Sequence, residues 1–336
     1  MVIESVPVRF LILGFILLFS LCLNLCLGDI WLSPAQAWTA VFHPAAAALG
    51  SSGLSDMIWQ IRLPRLLIAL TVGVGLSVSG YVLQALSRNS LADPYLTGVS
   101  SGAGLTVALA MLFGVDFAFV PAFALIGATA ASLLVAVMAR SPSGLSITKL
   151  LLAGVALSAI CSSLITLLLV CSGNQARSQG IYFWLLGGIA GRGWSELAPA
   201  SLYTAIGLSM ALVMSKPLRL LSLGAQPASA VGLDVARTQW ILLFAAVLTC
   251  GASVSVSGMV GFVGLVAPHL SRNLFGRDER LQLLAAIMVG AVLVLLSDLA
   301  ARTLGQGQEL PLGILLSLIG GPFFLWLVLH QRGEGL

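Results

Sequence analysis

Long apolar runs recur along almost the whole chain, and each is long enough to cross a lipid bilayer. A membrane-spanning helix needs about 20 mostly apolar residues. Of the 336 residues, 59% are hydrophobic and only 8% are charged, whereas soluble domains carry about 25% charged residues. Inside a bilayer, only helices and closed barrels satisfy every backbone polar group, and runs of this length predict helices. We therefore predict an all-α polytopic membrane protein with one transmembrane domain over residues 1–336.

Ten candidate spans lie between the polar interruptions of the chain. They cover residues 8–28, 64–86, 95–114, 117–139, 147–170, 195–215, 238–257, 259–275, 281–301 and 311–331. The eighth is short and rich in Gly, so the chain must turn tightly around Ser257–Gly258 if the seventh and eighth spans both cross. The sequences Ser77–Gly80 and Ser255–Gly258 are alike. This likeness agrees with an inverted repeat that relates spans two to five to spans seven to ten.

Positively charged side chains indicate the orientation, because cytoplasmic loops are enriched in Lys and Arg. If the N-terminus is inside and the spans alternate, eleven of the 16 basic residues fall on the inner side. The five on the outer side are Arg62, Arg65, Arg177, Arg192 and Arg302. We therefore predict that both termini are cytoplasmic. The net charge of +4 is small and is not clustered into a patch for nucleic acid.

Two outer connections are long enough to carry function. Residues 29–61 contain a predicted interfacial helix that starts at Ser33-Pro34 and runs through Trp38 and Phe42. Residues 171–194 contain Tyr182-Phe183-Trp184, and such aromatic residues are typical of the membrane boundary.

The inner connection over residues 216–237 has a different character, because it is rich in small residues. It predicts one or two short helices, with Pro227 in a first turn and Gly232 as a stop. Its small residues suit a surface held against another protein. A plain solvated loop is the alternative interpretation.

The chain lacks the sequence signatures of an enzyme. Its two lysines, Lys149 and Lys216, follow no Gly-rich phosphate-binding loop, and there is no His-Glu-x-x-His zinc motif. The three histidines are far apart, and no serine lies in a nucleophile elbow. We therefore predict no catalysis, no metal site and no bound cofactor. Any energy source must then belong to another chain.

One acidic residue, Asp298, falls within the ninth span, and Arg302 follows four residues later. A carboxylate inside a span costs about 2.5–3.5 kcal/mol on insertion scales, so it needs a reason. The first interpretation is a structural i,i+4 ion pair near the outer boundary. The alternative is an ion or proton relay, which would make the protein an ion-coupled secondary transporter that uses Asp298.

Two arginines, Arg62 and Arg65, open the second span on the outer side, against the positive-inside trend. Arginine binds carboxylates in a bidentate manner, so an acidic partner would explain them. Anchoring to lipid headgroups is the alternative. On the inner side, segments 88–94 and 145–149 each lie at a helix junction, where small residues can form a constriction.

Taken together, these segments resemble the permease subunits of ABC importers for iron–siderophore complexes, haem and cobalamin. The resemblance extends from the second span to the last. Its most specific part is the run Gly-Phe-Val-Gly-Leu-Val-Ala-Pro-His that ends at His269. The other matching stretches are Arg62–Arg65, Arg88–Pro94, Gly98–Gly104, Asp298 with Arg302, and Glu309–Gly313.

The resemblance implies a permease in the cell inner membrane with ten helices per subunit. It implies a homodimer with a central path, two copies of a separate ATPase subunit that uses ATP-Mg, a periplasmic or lipoprotein substrate-binding protein, and a metal-chelate cargo. It also assigns roles to residues: Arg62, Arg65 and Arg302 would receive acidic side chains of the binding protein. The cytoplasmic gate would consist of Asn89, Leu91, Ile147 and Thr148. The ATPase would dock on Gly224, Ala228, Ala230 and Gly232.

Two positions depart from the family pattern. Ser90 stands where the pattern has Pro, which bears on the stiffness of the gate, and Pro227 enters the docking helix. The runs Leu152–Leu157 and Trp184–Gly188 look most like the cobalamin branch. Siderophore permeases are more numerous, so the cargo stays open among cobalamin, haem and a siderophore.

Overall fold

The computed structural model describes residues 6–28, 30–42, 53–141, 144–276, 279–305 and 308–330. Within these ranges the chain is helical except for turns and one small hairpin. Strand β1 (Arg140–Ser141) pairs antiparallel with β2 (Gly144–Leu145). The described helices are α1 (Val6–Cys26), α2 (Pro34–Phe42), α3 (Leu54–Ser87), α4 (Val99–Leu112), α5 (Val120–Met138), α6 (Ile147–Cys171), α7 (Gln175–Leu186), α8 (Trp194–Val213), α9 (Ser215–Ser222), α10 (Ala225–Ala230), α11 (Val235–Ser257), α12 (Val263–Phe275), α13 (Glu279–Leu304) and α14 (Leu312–His330).

A helix occupies each of the ten stretches predicted as spans. Seven of the described helices, α1, α3, α5, α6, α8, α11 and α13, are long and apolar enough to cross a membrane. Helices α4 and α12 are shorter, and the apolar part of α14 is shorter too. The fold class is therefore confirmed, while the number of crossings, the orientation and the inverted repeat stay predictions. Residue 331, the last of the predicted tenth span, lies outside the described residues.

In place of a tight turn at Ser257–Gly258, the structure has a five-residue non-helical segment before a short eighth helix. Helix α12 has 13 residues and is therefore about 20 Å long, shorter than the roughly 30 Å hydrocarbon core. Helix α11 ends at Ser257, and the backbone from 258 to 262 is not helical. The Tyr95 hydroxyl compensates for one lost turn: it accepts a hydrogen bond from the Val260 amide at 2.8 Å and donates to the Val260 carbonyl at 2.9 Å. Non-helical backbone at membrane depth is tolerated where protein surrounds it.

Helix α3 forms the centre of the molecule, packed against α8, α11, α12 and α13. Glycines let these helices approach closely, as is typical of membrane proteins. A Cβ atom on Gly80 would lie 1.8 Å from the carbonyl oxygen of Gly264 in α12, and one on Gly73 would lie 2.5 Å from that of Gly290 in α13. The interhelical contacts of α3 therefore depend on the absence of a side chain at these two positions.

The connections also contain helices. The predicted interfacial helix is α2, and its start is capped reciprocally: Ser33 Oγ accepts from the Gln36 amide at 3.3 Å, and Gln36 Oε1 accepts from the Ser33 amide at 2.9 Å. The inner connection forms two short helices, α9 and α10, as predicted. The outer connection 171–194, predicted only as a loop with aromatics, contains α7, which Asn174 caps by accepting from the Arg177 amide at 3.1 Å.

We predict that Gly80→Ala lowers the stability of the purified protein by about 1–3 kcal/mol, because the new methyl group overlaps the α12 backbone and the helices must separate. The measurement is thermal unfolding in detergent. Gly321→Ala is the matched control, since a Cβ at this other helical glycine meets nothing within 4 Å. Equal midpoints for the two variants would contradict the close approach of α3 and α12.

Candidate functional site

A buried charge cluster lies at the predicted outer ends of α3 and α13, and Asp298 is at its centre. The Asp298 side chain is 1% exposed. Arg65 contacts it through Nη2 and Nε, at 2.9 and 3.1 Å from Oδ1. Arg302, one helical turn along α13, places Nε 3.3 Å from Oδ2, although this approach is too poorly aligned for a hydrogen bond. Arg65 also donates from Nη1 to Glu309 Oε1 at 2.6 Å.

Backbone carbonyls and a side-chain amide from α1 and the segment after it hold the remaining guanidinium groups. A π-helical turn over Ile58–Arg62 precedes the regular part of α3. From this turn, Arg62 donates to the carbonyls of Leu25 and Ile30. Arg302 Nη2 donates to Asn24 Oδ1 at 2.7 Å. The cluster therefore ties α1, α3 and α13 together through charged and polar side chains.

This geometry changes how the three predicted docking arginines are understood. We expected them to present guanidinium groups to a partner, but Arg62 and Arg65 are 6% and 8% exposed, and the Arg302 side chain is 11% exposed. All three already have partners within the chain. Their docking role stays a prediction, and it would require the outer surface to rearrange. The i,i+4 pair expected at Asp298 is present.

Sequence reasoning did not assign the two residues that complete the cluster. Glu309 belongs to the Glu-Leu-Pro-Leu-Gly stretch quoted for the resemblance, but no partner for it was predicted. Asn24 is a polar residue near the end of an otherwise apolar span, which is a signal that it has a buried partner. In the structure it is 2% exposed, and its amide also donates to the Leu295 carbonyl at 3.0 Å.

Three of the four predicted gate residues line one cavity of about 580 Å³ on the predicted inner side. Asn89 lies in the turn after α3, and Ile147 and Thr148 begin α6. Leu91 does not line this cavity, but its amide donates to Asn89 Oδ1 at 2.9 Å and so fixes that side chain. The same cavity is lined by Leu221 of α9 and Ala225 of α10. The predicted gate and the predicted docking helices therefore share a wall.

The four predicted ATPase-docking residues differ in accessibility. Gly224 and Ala228 are buried and pack inside the chain, whereas Ala230 and Gly232 are exposed. Gly224 has a φ of 125° and Gly232 a φ of 85°, so both adopt backbone that favours glycine. Two larger apolar side chains beside them, Leu223 and Val231, are 67% and 66% exposed. They form the accessible apolar part of this surface and lie within the predicted docking segment 216–237, although neither is one of the four named docking residues.

A second cavity lies on the predicted outer side, beside the charge cluster. Its volume is about 240 Å³, and Arg65, Asp298 and Glu309 form part of its wall. Other lining residues are aromatic and glycine residues from α7 and the segment after it, together with Phe117 and Arg192. Within the described ranges, no three His, Cys, Asp or Glu side chains come close enough together to hold a metal ion.

Comparison with known proteins agrees with this architecture. The model of the FecCD transport family matches residues 16–330. The chain is 38% identical to the hemin transport system permease protein HmuU of Yersinia pestis, over 96% of this chain and 97% of that protein. It is also 38% identical to the vitamin B12 import system permease protein BtuC of Vibrio cholerae, over 96% of this chain and 94% of that protein.

A solved structure is similar along nearly the whole length. It is an inward-facing conformation of a metal-chelate type ABC transporter, with a TM-score of 0.84 and 34% identity, covering 97% of this chain and 99% of that chain. Together with the apolar helices, these matches identify a multi-pass inner-membrane protein. The chain belongs to the FecCD transport family.

Proposed function

We propose that this chain is the permease subunit of an ABC importer that moves a metal chelate across the inner membrane. The observation that carries the proposal is the inner cavity, whose wall is shared by the predicted gate and the docking helices. A partner that moves α9 and α10 would therefore act directly on the gate. The hemin and vitamin B12 permeases among its relatives support a chelate as cargo.

The proposal includes three kinds of partner. Two copies of a separate ATPase subunit bind ATP-Mg and dock on the exposed surface of α10, and this chain itself holds no cofactor. A second copy of the chain packs against the first along the cargo path. Helix α6 supports this arrangement, because Ser162, Ser163 and Thr166 are exposed on it beside Leu164 and Leu167. The Ser163 and Thr166 hydroxyls donate to carbonyls of α6 itself, and such small polar residues are enriched where membrane helices pack against one another.

The third partner is a substrate-binding protein on the outer side. Arg62, Arg65 and Arg302 remain its proposed docking residues. Glu309 is the partner of Arg65 that is most open to exchange, because its side chain is 46% exposed while that of Asp298 is 1% exposed. A carboxylate of the binding protein would replace Glu309 at the outer edge and leave the buried Arg65–Asp298 pair intact.

The proposed function predicts that uptake requires ATP and the partner subunit. The experiment places this chain and its ATPase in vesicles with the binding protein outside, and supplies iron protoporphyrin IX, cyanocobalamin and a ferric siderophore in turn. At least one chelate should accumulate with ATP-Mg and not with a nonhydrolysable analogue. Equal uptake with and without ATP would contradict the proposal.

The alternative, a secondary transporter driven through Asp298, receives little support from the geometry. Asp298 is held between Arg65 and Arg302, and both of its carboxylate oxygens are already engaged by guanidinium groups. A relay group must exchange its partners during transport. In this position the carboxylate is better explained as the element that neutralises two buried guanidinium groups.

We therefore predict that Asp298→Asn destabilises the protein by about 3–5 kcal/mol, because it leaves buried cations without a counter-charge. Glu309→Gln is the comparison, and it should have a smaller effect because Glu309 is half-exposed. Thermal unfolding in detergent measures both. A relay predicts the reverse pattern: an Asp298→Asn protein of normal stability that has lost only gradient-driven uptake.

The docking surface generates a further prediction. Val231→Asp should weaken binding of the ATPase by about 2 kcal/mol, or roughly 30-fold in Kd, because a charge enters the apolar part of the proposed interface. Ala176→Asp, an exposed position on the predicted outer side, is the control. Both affinities are measured with the purified chains in detergent. If the two variants bind the ATPase equally well, the apolar surface of Leu223 and Val231 beside α10 is not the docking surface.

A further inference from the structure

The outer cavity contains an arginine whose charge the chain does not neutralise by contact. Arg192 is 7% exposed and lies in the segment between α7 and α8. Its Nε donates to the Val256 carbonyl at 3.2 Å, and its Cζ lies 4.7 Å from the centre of the Phe117 ring. Among the described residues, no acceptor binds its two terminal nitrogens. Neither nitrogen is among the fully enclosed atoms, so both are open to a ligand or to water in the cavity that Arg192 lines.

Glu196, the carboxylate nearest to Arg192 in sequence, makes no hydrogen bond to it. Glu196 Oε2 accepts from the Gly193 amide at 2.8 Å and from Ser195 Oγ at 3.0 Å, and so caps the start of α8. Glu196 acts on Arg192 only through space, and burial lowers the pKa of Arg192 from its ordinary value. Arg65, the other cation in the wall of the cavity, is fully engaged with Asp298 and Glu309.

A second donor in the same wall lacks an acceptor. Trp184 lines the cavity and is 6% exposed. Its indole Nε1 has no hydrogen-bond partner among the residues that the structure describes, but the atom is enclosed, so a ligand acceptor reaches it only when the ring shifts. The guanidinium of Arg and the indole NH of Trp can donate but cannot accept. A ligand that satisfies both must therefore supply acceptors, and the unneutralised cation favours a negative charge.

The shape of the cavity narrows the choice of anion. The cavity is also lined by the rings of Phe117, Phe183 and Trp184 and by Gly187 and Gly188. Such walls suit the edge of a flat, apolar body. A volume of about 240 Å³ holds a substituent and part of a ring, not a whole macrocycle. A carboxylate matches the planar donor fork of an arginine better than a neutral amide does.

We propose that Arg192 and Trp184 form a recognition site in the outer cavity for a carboxylate carried by the chelate cargo. This inference rests on the proposed function and names the class of cargo: a chelate with a free carboxylate on a flat ring, as in an iron porphyrin with propionate groups. A cobalamin, whose periphery carries amides, lacks this group. The site lies on the outer side, where cargo enters before the inner gate opens.

The test compares two probes that differ only in their carboxylates, iron protoporphyrin IX and its dimethyl ester. Their affinities are measured for the permease–ATPase complex in lipid nanodiscs, without the binding protein. Arg192→Gln should weaken binding of the acid by at least about tenfold and leave the ester unchanged, because only the acid bonds to the guanidinium. Comparing the acid-to-ester ratio between proteins removes any difference in how the probes partition into lipid.

Matched variants keep the result interpretable. Arg177→Gln removes another outer arginine that does not line the cavity and should leave the acid-to-ester ratio at the wild-type value. Arg192→Lys keeps the charge without the planar fork and should give an intermediate ratio. Trp184→Phe keeps the ring without the NH and should weaken only the acid. Arg192→Lys and Trp184→Phe carry the test if Arg192→Gln does not fold.

Two outcomes would overturn the inference. The first is an acid-to-ester ratio that is the same in the wild type and every Arg192 and Trp184 variant. The second is a loss of affinity for the binding protein in Arg192→Gln without any change in that ratio, which would assign the cavity to an acidic side chain of that protein. In either case, ATP-driven uptake of a chelate by the wild type would leave the proposed function standing.

Discussion

The structure depends on one constraint: in hydrocarbon, every backbone polar group must find its partner inside the protein. Helix α3 meets it at the centre of the bundle, and its glycines bring the backbones of α12 and α13 so close that a side chain would not fit. Where the helical pattern breaks between α11 and α12, the Tyr95 hydroxyl satisfies both backbone groups of Val260. Gly258 and Val260 of this non-helical segment are buried within the protein, as the constraint requires.

The same constraint governs charge. Ionised side chains are costly at membrane depth, so they gather where they neutralise one another. The outer cluster joins Asp298 to two arginines and links three helices, with Glu309 at its exposed edge. Arg192 stands apart, because it lies over an aromatic ring and bonds to a carbonyl without touching a carboxylate. Arg65 is neutralised by Asp298 and has a structural role, whereas Arg192 has no carboxylate partner and is the proposed binding residue.

Much of the helical framework is predictable from sequence, because a run of apolar residues long enough to cross a bilayer leaves few alternatives. The structure has a helix at every predicted span. The length of α12 was not predictable, because the apolar run continues through Gly258–Phe262 and hydropathy does not show where helical bonding stops. Pairings such as Arg65 with Glu309 join residues far apart in sequence, and neither residue alone indicates its partner.

Some features of the candidate site were predictable from sequence and others were not. Asn89, Ile147 and Thr148 do line one cavity, because both segments lie at inner helix ends. Gly224 and Ala228 are buried, while Ala230, Gly232 and the flanking Leu223 and Val231 are exposed, because composition alone does not show which residues of a short helix and its ends face the core. The burial of the predicted docking arginines was not predictable, because they bond to residues that are distant in sequence, such as Leu25, Glu309 and Asn24.

The central claim is that this chain provides a path and a gate, while another chain provides the energy. The most direct measurement is ATP hydrolysis by the purified chain alone, by the complex with its ATPase, and by a complex whose ATPase carries a disabled catalytic residue. Hydrolysis is expected only in the complex with the intact ATPase. Hydrolysis by the chain alone, or by the complex with the disabled ATPase, would contradict it.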